Sequence, residues 1–428
     1  MSELEPTAND VPAGVSAPPA DTTPGRARSP ILEVFALPSF RRYWFAQLGV
    51  ALVNGTARFA LVWLVLDLTD WTPAVGLVGL AMGLPAMVVT LPAGALSDRM
   101  DRIRLIVVGA LLSAAALAVL AVTIWTGLVT VWVVAAVALV VGAASAAISP
   151  ALFAIVPSLV PPDRLLTGVG LQGMGSNIAM LAGAVLGGAA ITVAGTGGGM
   201  ALLAAISLLS ALGMAGVRLP QRAPVSSERR VLEETLDGLR FSLGREPLRS
   251  MLVVGFVAST SWGVVQLVLP DVLRTDLDQD AFASSLVFAA LAVGMFSTTL
   301  VISNRARLAR RGLTLAVPFS CFLGPMIVVM GLSRSYLVTT GAMLVWGITG
   351  GIAMTLQRTI LQQSTPDDYM GRVMGCNAFA MTGSYPVAAG MVAICAALVG
   401  GAGTLVLLGC LATVVASLVV WRPAVLRV

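Results

Sequence analysis

Lysine and histidine are absent from this chain, and all 26 of its basic residues are arginine. Without histidine there is no imidazole proton relay and no histidine metal site. Without lysine there is no GxxxxGK loop, the usual cradle for ATP phosphates. Charge of either sign is scarce, at 11% of residues against roughly a quarter in a soluble domain. Cysteine is scarce too. Cys321, Cys376, Cys395 and Cys410 fall inside apolar stretches with no CxxC spacing, which suggests neither a disulfide framework nor a metal site and reads as small buried hydrophobes. With no histidine and no metal-ligating cluster, catalysis is not expected, nor is any cofactor.

What fills the sequence instead is hydrophobic residues, 57% of the total, a composition that needs lipid as its solvent. A bilayer core of about 30 Å takes roughly 20 apolar residues per helix. Twelve such stretches are legible, at 43–66, 73–96, 105–125, 129–148, 168–193 and 199–217, then at 251–272, 281–302, 313–332, 336–361, 374–399 and 403–421. The formal charge of +5 could point to nucleic acid. However, the arginines stand in short connections between apolar runs and build no continuous basic face, so no nucleic-acid partner is expected.

Those arginines report orientation, because positive charge is retained on the cytoplasmic side of short loops. Arg26, Arg28, Arg41, Arg42, the Arg99/Arg102/Arg104 loop, Arg164 and the seven arginines from Arg218 to Arg249 fall on one side. Arg305, Arg307, Arg310, Arg311, Arg358, Arg372, Arg422 and Arg427 join them. Among loop arginines only Arg274 and Arg334 fall opposite, beside Asp276, Asp278 and Asp280. The expectation is a multi-pass protein of the cytoplasmic membrane with both termini in the cytoplasm.

Residues 1–30 are rich in Pro, Ala, Thr and Asp and lack the apolar core of a signal peptide. The expected organisation is a disordered tail over 1–35, a six-helix bundle over 36–217, a cytoplasmic linker over 218–250 and a second bundle over 251–428. In the linker Leu232, Leu236, Leu239 and Leu243 recur at helical spacing among charges, the pattern of an interfacial amphipathic helix, with a partner-docking site as the lesser alternative. The halves echo each other at an offset of about 206 residues. The arginine loop at 98–104 returns at 304–311, and Pro161, Pro162, Asp163 return as Pro366, Asp367, Asp368. Parallel six-helix repeats are a transporter plan, with the solute site near the midplane between them.

The segment Gly94-Ala-Leu-Ser-Asp98-Arg99-Met-Asp101-Arg102-Ile-Arg104 resembles the signature loop of the major facilitator superfamily. Phe40-Arg-Arg-Tyr-Trp-Phe-Ala-Gln47, Trp63-Leu-Val-Leu-Asp67-Leu-Thr69, Ser149-Pro-Ala-Leu-Phe-Ala-Ile-Val-Pro157, Asp237-Gly-Leu-Arg-Phe241 and Pro366-Asp-Asp-Tyr-Met-Gly-Arg-Val373 are similar to its drug-efflux branch, which includes macrolide, tetracycline and siderophore exporters. The resemblance implies an all-α membrane fold of twelve helices in two pseudo-symmetric bundles that rock to give alternating access, with proton antiport. It also implies a latch, in which Asp98, with Arg99 and Arg102, meets the eleventh helix near Gly371 and Arg372 and holds the cytoplasmic side closed. The alternative is that these charges only fix topology and cap helices. Three positions depart from the family pattern. Asn54 stands where many relatives carry an acid, Ala184 replaces the proline of the antiporter motif in Gly183-Ala-Val-Leu-Gly187-Gly188, and Arg58 adds a cation in the first helix.

A charge at the depth of Arg58 costs on the order of 3 kcal/mol in lipid, so the side chain should face a cavity. There it could bind an anionic solute or favour ionisation of a nearby carboxylate; the structural alternative is a pair with backbone carbonyls or Asp67. At similar depth Asn54, Trp63, Asn177, Trp262, Gln266 and Trp346 are candidates to line one pocket, although each is otherwise a helix contact. A mainly apolar cavity with a few polar anchors suits amphipathic solutes. Gly79/Gly83, Gly183/Gly187 and Gly347/Gly351 have the spacing for close helix approach, and Pro85, Pro92, Pro318, Pro325 and Pro386 interrupt helices in both halves. Proton coupling needs a carboxylate that titrates as access alternates, and Asp67 or Asp271 is the candidate. The expected function is proton-coupled export of small amphipathic drugs or secondary metabolites by a monomer. The alternatives are export of a siderophore or lipid-like anion and, in a different class, a non-transporting membrane sensor or scaffold.

Overall fold

Lipid offers backbone N–H and C=O groups no partner except their own chain, so the apolar stretches become helices. The computed structural model describes residues 30–69, 71–99, 101–217, 237, 239–246, 248–304, 319–366 and 369–421, with the side chains of 90–99 and 301–304 and of a few further helical residues left aside. The first group of helices is α1 (Pro30–Ala36), α2 (Pro38–Leu68), α3 (Pro73–Arg99), α4 (Arg102–Trp125), α5 (Val131–Leu159) and α6 (Leu165–Ala215). The second is α7 (Leu248–Thr275), α8 (Ala281–Asn304), α9 (Gly324–Leu332, preceded by a π-helical turn at Phe319–Leu323), α10 (Tyr336–Gln363) and α11 (Met370–Val420). Helix starts follow local chemistry. Proline opens α2, Asp101 caps α4 by accepting from Ile103 N at 2.9 Å, and Thr130 caps α5 by accepting from Val133 N at 3.3 Å.

Both α6 and α11 contain 51 residues, about 76 Å if straight and far more than one bilayer. Each folds back at a glycine. Along α2, Gln47 meets Gln172 while Thr56 meets Gly183, so the first arm of α6 runs parallel to it. Gly49 packs on Ser210 and Arg42 on Gly216, so the second arm runs the other way. The reversal is at Gly195 (φ 70°, ψ 172°), and α11 reverses at Gly400 (φ 73°, ψ −179°). That backbone region is essentially reserved for glycine. Among the described residues the chain therefore makes twelve crossings. Eight helices are long and apolar enough to span, α6 and α11 double back, and Pro73–Val89 and Phe319–Leu332 add shorter apolar pieces.

Two ends of the bundle can be told apart by charge. The basic end carries Arg41, Arg102, Arg164, Arg249 and Arg372, and the acid end carries Asp67, Asp271, Asp276 and Asp280. One hydrophobic core spans both halves toward the acid end, joining Leu64, Val75, Leu267, Val392 and Leu405. Toward the basic end the core divides. One cluster, with Phe40, Tyr43, Ile155 and Met214, belongs to the first half; another, with Met251, Phe319, Ile360 and Val419, belongs to the second.

Two expectations need adjustment, and a third falls only partly on the described residues. The tail expected to be disordered through residue 35 yields to α1, in which Val34 is 1% exposed and Glu33 pairs with Arg164 at 2.6 Å; residues 1–29 lie outside the described set. The fourth stretch does not stop at residue 148 but continues as helix to Leu159 through Pro150 and Pro157, because Ala151, Ile155 and Val156 still have a core to join. Of the linker leucines, Leu232 and Leu236 lie outside the described residues. Leu239 and Leu243 are exposed on a short helical piece, and Phe241 between them stacks on Tyr369, the residue before α11.

Candidate functional site

Between the halves lies a cavity of about 480 Å³. From the first half, Gln47, Asn54 and Arg58 of α2, Met82 and Gly83 of α3, Ser149 and Phe153 of α5, and Gln172 and Ser176 of α6 line it. From the second, α7 gives Ser259, Trp262 and Gln266, and α11 gives Met381, Thr382, Ser384 and Tyr385. Gln47, Asn54 and Arg58 recur at seven- and four-residue steps, which puts them on one face of α2. Gln47 is fixed by donating to Gln172 O at 3.2 Å and to Ser176 Oγ. The Arg58 guanidinium lies over the Tyr385 ring, 4.7 Å from its centre, an arrangement that draws the cation toward the opposite half. Among the described residues Arg58 is the only charged side chain in this lining.

Toward the acid end the cavity is roofed by aromatics. Phe59 stacks on Trp63 at 5.9 Å and meets Phe288 of α8 edge-on at 5.9 Å; Trp262 meets Phe288 at 6.4 Å and stacks on Trp346 at 5.9 Å. Beyond the roof, polar ties cross between halves. Arg274 Nη1 lies 2.8 Å from Asp67 Oδ1, a close ionic approach without good hydrogen-bond alignment, and Thr72 donates to Asp271 Oδ2 at 3.0 Å. Within the second half alone, Arg334 pairs with Asp276 at 2.9 Å. Gly76 and Gly79 of α3 meet Ala393 and Ala389 of α11 so closely that a Cβ at either would need its neighbour to shift. The walls part toward the basic end, where Phe153 lines the cavity and is 61% exposed.

A side chamber of about 240 Å³ branches off within the second half, sharing Ser259, Trp262 and Met381 with the main cavity and adding Met295, Met354 and Trp346. Its lining is almost wholly apolar.

The candidates from sequence are distributed as follows. Asn54, Arg58, Trp262 and Gln266 share the main cavity, and Trp346 lines the side chamber. Trp63 does not line either space; it is 6% exposed in the roof, 5.8 Å beneath the Arg274 guanidinium. The side chain of Asn177 lies outside the described residues, as do those of Asp98 and Arg99. Arg102 donates to Ala154 O at 2.8 Å within its own half, and Arg372 lies over the Tyr369 ring at 5.3 Å. Asp67 pairs with Arg274, not with Arg58 as one alternative had it. Sequence reasoning missed Gln47, Gln172, Ser149 and Tyr385. The polar periodicity 47, 54, 58 was the available signal for the first of these.

Two helical groups enclosing a central cavity closed at one end define a multi-pass membrane transporter, not an enzyme. The profile of the Major Facilitator Superfamily matches residues 43–389, and the chain belongs to that family. By sequence it matches none of the curated proteins. Solved structures share the fold at low identity. A POT family transporter in complex with 5-aminolevulinic acid aligns with a TM-score of 0.71 at 12% identity, over 89% of this chain and 94% of the other. The nucleoside transporter NupG aligns with a TM-score of 0.70 at 11% identity, over 89% and 98%. A bacterial homolog of the human lysosomal transporter Spinster, in an inward-facing and unoccupied conformation, aligns with a TM-score of 0.68 at 12% identity, over 93% and 100%. The chain is thus a secondary membrane transporter.

Proposed function

We propose that this transporter exports small amphipathic compounds carrying an anionic group from the cytoplasm by rocking of its two bundles, 36–217 and 251–428, about the central cavity. The observation that carries the reading is the cavity lining, with one cation, Arg58, no acid among the described residues, and an otherwise apolar and amide or hydroxyl surface. A guanidinium there is electrostatically incomplete until an anion arrives. This favours the siderophore or lipid-like metabolite reading over a cationic drug. The arginine bias supports a cytoplasmic basic end in a cytoplasmic membrane, so the cavity faces the side from which cargo is loaded. A monomer suffices, since each chain encloses a whole cavity.

Proton coupling, in this reading, belongs to the acid end. Asp67 and Asp271 are both tied across the halves, so protonating either weakens a contact that holds that end shut. When the basic end closes in turn, Asp98, Arg99 and Arg102 meet Arg372 and hold it. The decisive experiment is flux into proteoliposomes of anionic, neutral and cationic amphiphiles of one shape under an imposed pH gradient. Preference for the anion and a gradient-driven rate are expected. Equal flux of the cation would overturn the cargo class, and indifference to the gradient would overturn the coupling.

A further inference from the structure

The face of α2 opposite the cavity has its own architecture. Arg42, Phe45 and Gly49 recur there at three- and four-residue steps, half a helical turn away from Gln47, Asn54 and Arg58. Between this face and the second arm of α6 runs a groove of about 580 Å³, lined by Arg41, Arg42, Phe45, Leu209 and Leu212 and floored by Gly213. It is separate from the transport cavity and shares no lining residue with it.

The two ends of the groove differ in chemistry. Arg41 and Arg42 stand in the first turns of α2, and Gly216 lies one residue beyond the last of α6, the level at which apolar runs stop and lipid headgroups begin. Both arginines are exposed, and Arg42 spends one N–H on Gly216 O at 3.1 Å out of the five a guanidinium carries. One to two turns deeper, at acyl-chain depth, Phe45, Leu209 and Leu212 are 59%, 66% and 61% exposed. No acidic side chain lines the groove among the described residues. Two guanidiniums above an apolar trough match an anionic headgroup with its acyl chain; a free anion would leave the trough bare, and a neutral lipid would leave the charges unmatched.

We infer that this groove binds an anionic phospholipid, with its phosphate on Arg41 and Arg42 and an acyl chain along Phe45, Leu209 and Leu212. The site stands whatever the cargo is, because it faces lipid and not the cavity.

The test uses the full chain with a photoreactive benzoylphenylalanine in place of exposed Phe45, reconstituted in phosphatidylcholine vesicles containing a minor share of phosphatidylglycerol. Each arginine at headgroup level is worth a factor of about five, so crosslinked phosphatidylglycerol should exceed its bulk share by up to about thirty-fold. Adding Arg41→Gln and Arg42→Gln should return the ratio to the bulk value, and Arg104→Gln, on α4, should leave the enrichment intact. Gly213→Leu, which fills the floor without touching charge, should also abolish it. Labelling in proportion to bulk composition in the parent protein overturns the proposal without recourse to any arginine variant. Enrichment that survives the double substitution overturns it too, as does enrichment that inorganic phosphate competes away, since that marks a simple anion site.

Discussion

Toward the acid end a single apolar core runs through both halves, whereas toward the basic end two cores, each confined to one half, face each other across the cavity mouth. The closed end is held mainly by buried hydrophobic surface and by Gly76 and Gly79 drawing α3 onto α11, with ion pairs only at its margin. At the open end each half is complete without the other. The first half closes its own with Tyr43 donating to Leu152 O at 2.9 Å, the second with Gln357 donating to Met251 O and Asn377 Oδ1, both at 2.9 Å. Separation at the basic end therefore exposes little that was packed, but separation at the acid end breaks a continuous core. The alternate state has to recover that loss by pairing surfaces that are now apart.

The largest expected effect lies where the two regions meet, at Arg58. Truncating one member of a buried charge pair costs about 3 kcal/mol, so Arg58→Leu should reduce flux of an anionic amphiphile roughly a hundred-fold. Expression and melting temperature should hold, because the change removes a charge from apolar surroundings. Normal flux in proteoliposomes would take Arg58 out of the mechanism.

A wedge should come next. Gly76→Leu forces a side chain against the Ala393 backbone, and overpacking of this kind costs about 1–3 kcal/mol. The closed end should loosen, and a cysteine placed at Ala74, 1% exposed here, should react with maleimide about tenfold faster. An unchanged rate would mean that the α3–α11 contact is not what shuts that end.

At the basic end the corresponding test is milder. Phe241 of the linker stacks on Tyr369 at 3.9 Å, with Arg245 over one outer face at 3.8 Å and Arg372 beside Tyr369. Phe241→Ala should cost about 1 kcal/mol of stability, read from thermal unfolding in detergent, without altering access at Ala74. A change in that access would show that the two ends are coupled through the linker.

How much of this was legible in the sequence depends on the residue. Span number and order follow from hydropathy because lipid permits no other use of such runs. Asn54, Arg58, Trp262 and Gln266 were legible for a related reason, since a polar group in mid-span needs somewhere to point. Tyr385 was not, because a tyrosine in an apolar helix reads as packing. Trp63 shows the limit of depth as a guide. Its level along α2 was right, but its direction around the helix depends on which neighbours arrive, here Phe59 and Arg274. The reversals at Gly195 and Gly400 are hidden for another reason, since 44 glycines share the chain and only the backbone marks these two as left-handed breaks inside continuous helices, a positive φ they share with Gly127 in a turn.

The smallest energetic effect is expected at the tie proposed above to carry proton coupling. Asp67 and Arg274 are 35% and 31% exposed, and pairs this accessible to solvent contribute about 0.5 kcal/mol. A double-mutant cycle of Asp67→Asn and Arg274→Gln should return a coupling of that size, too small to hold the acid end closed by itself. Function should nonetheless respond strongly. If Asp67 carries the proton, Asp67→Asn keeps downhill flux but loses acceleration by an imposed pH gradient, while Arg274→Gln keeps both. If both variants keep the gradient response, Asp67 is a marginal strut only. The coupling role then passes to Asp271, which is 5% exposed against Thr72 and can be tested by the same measurement on Asp271→Asn.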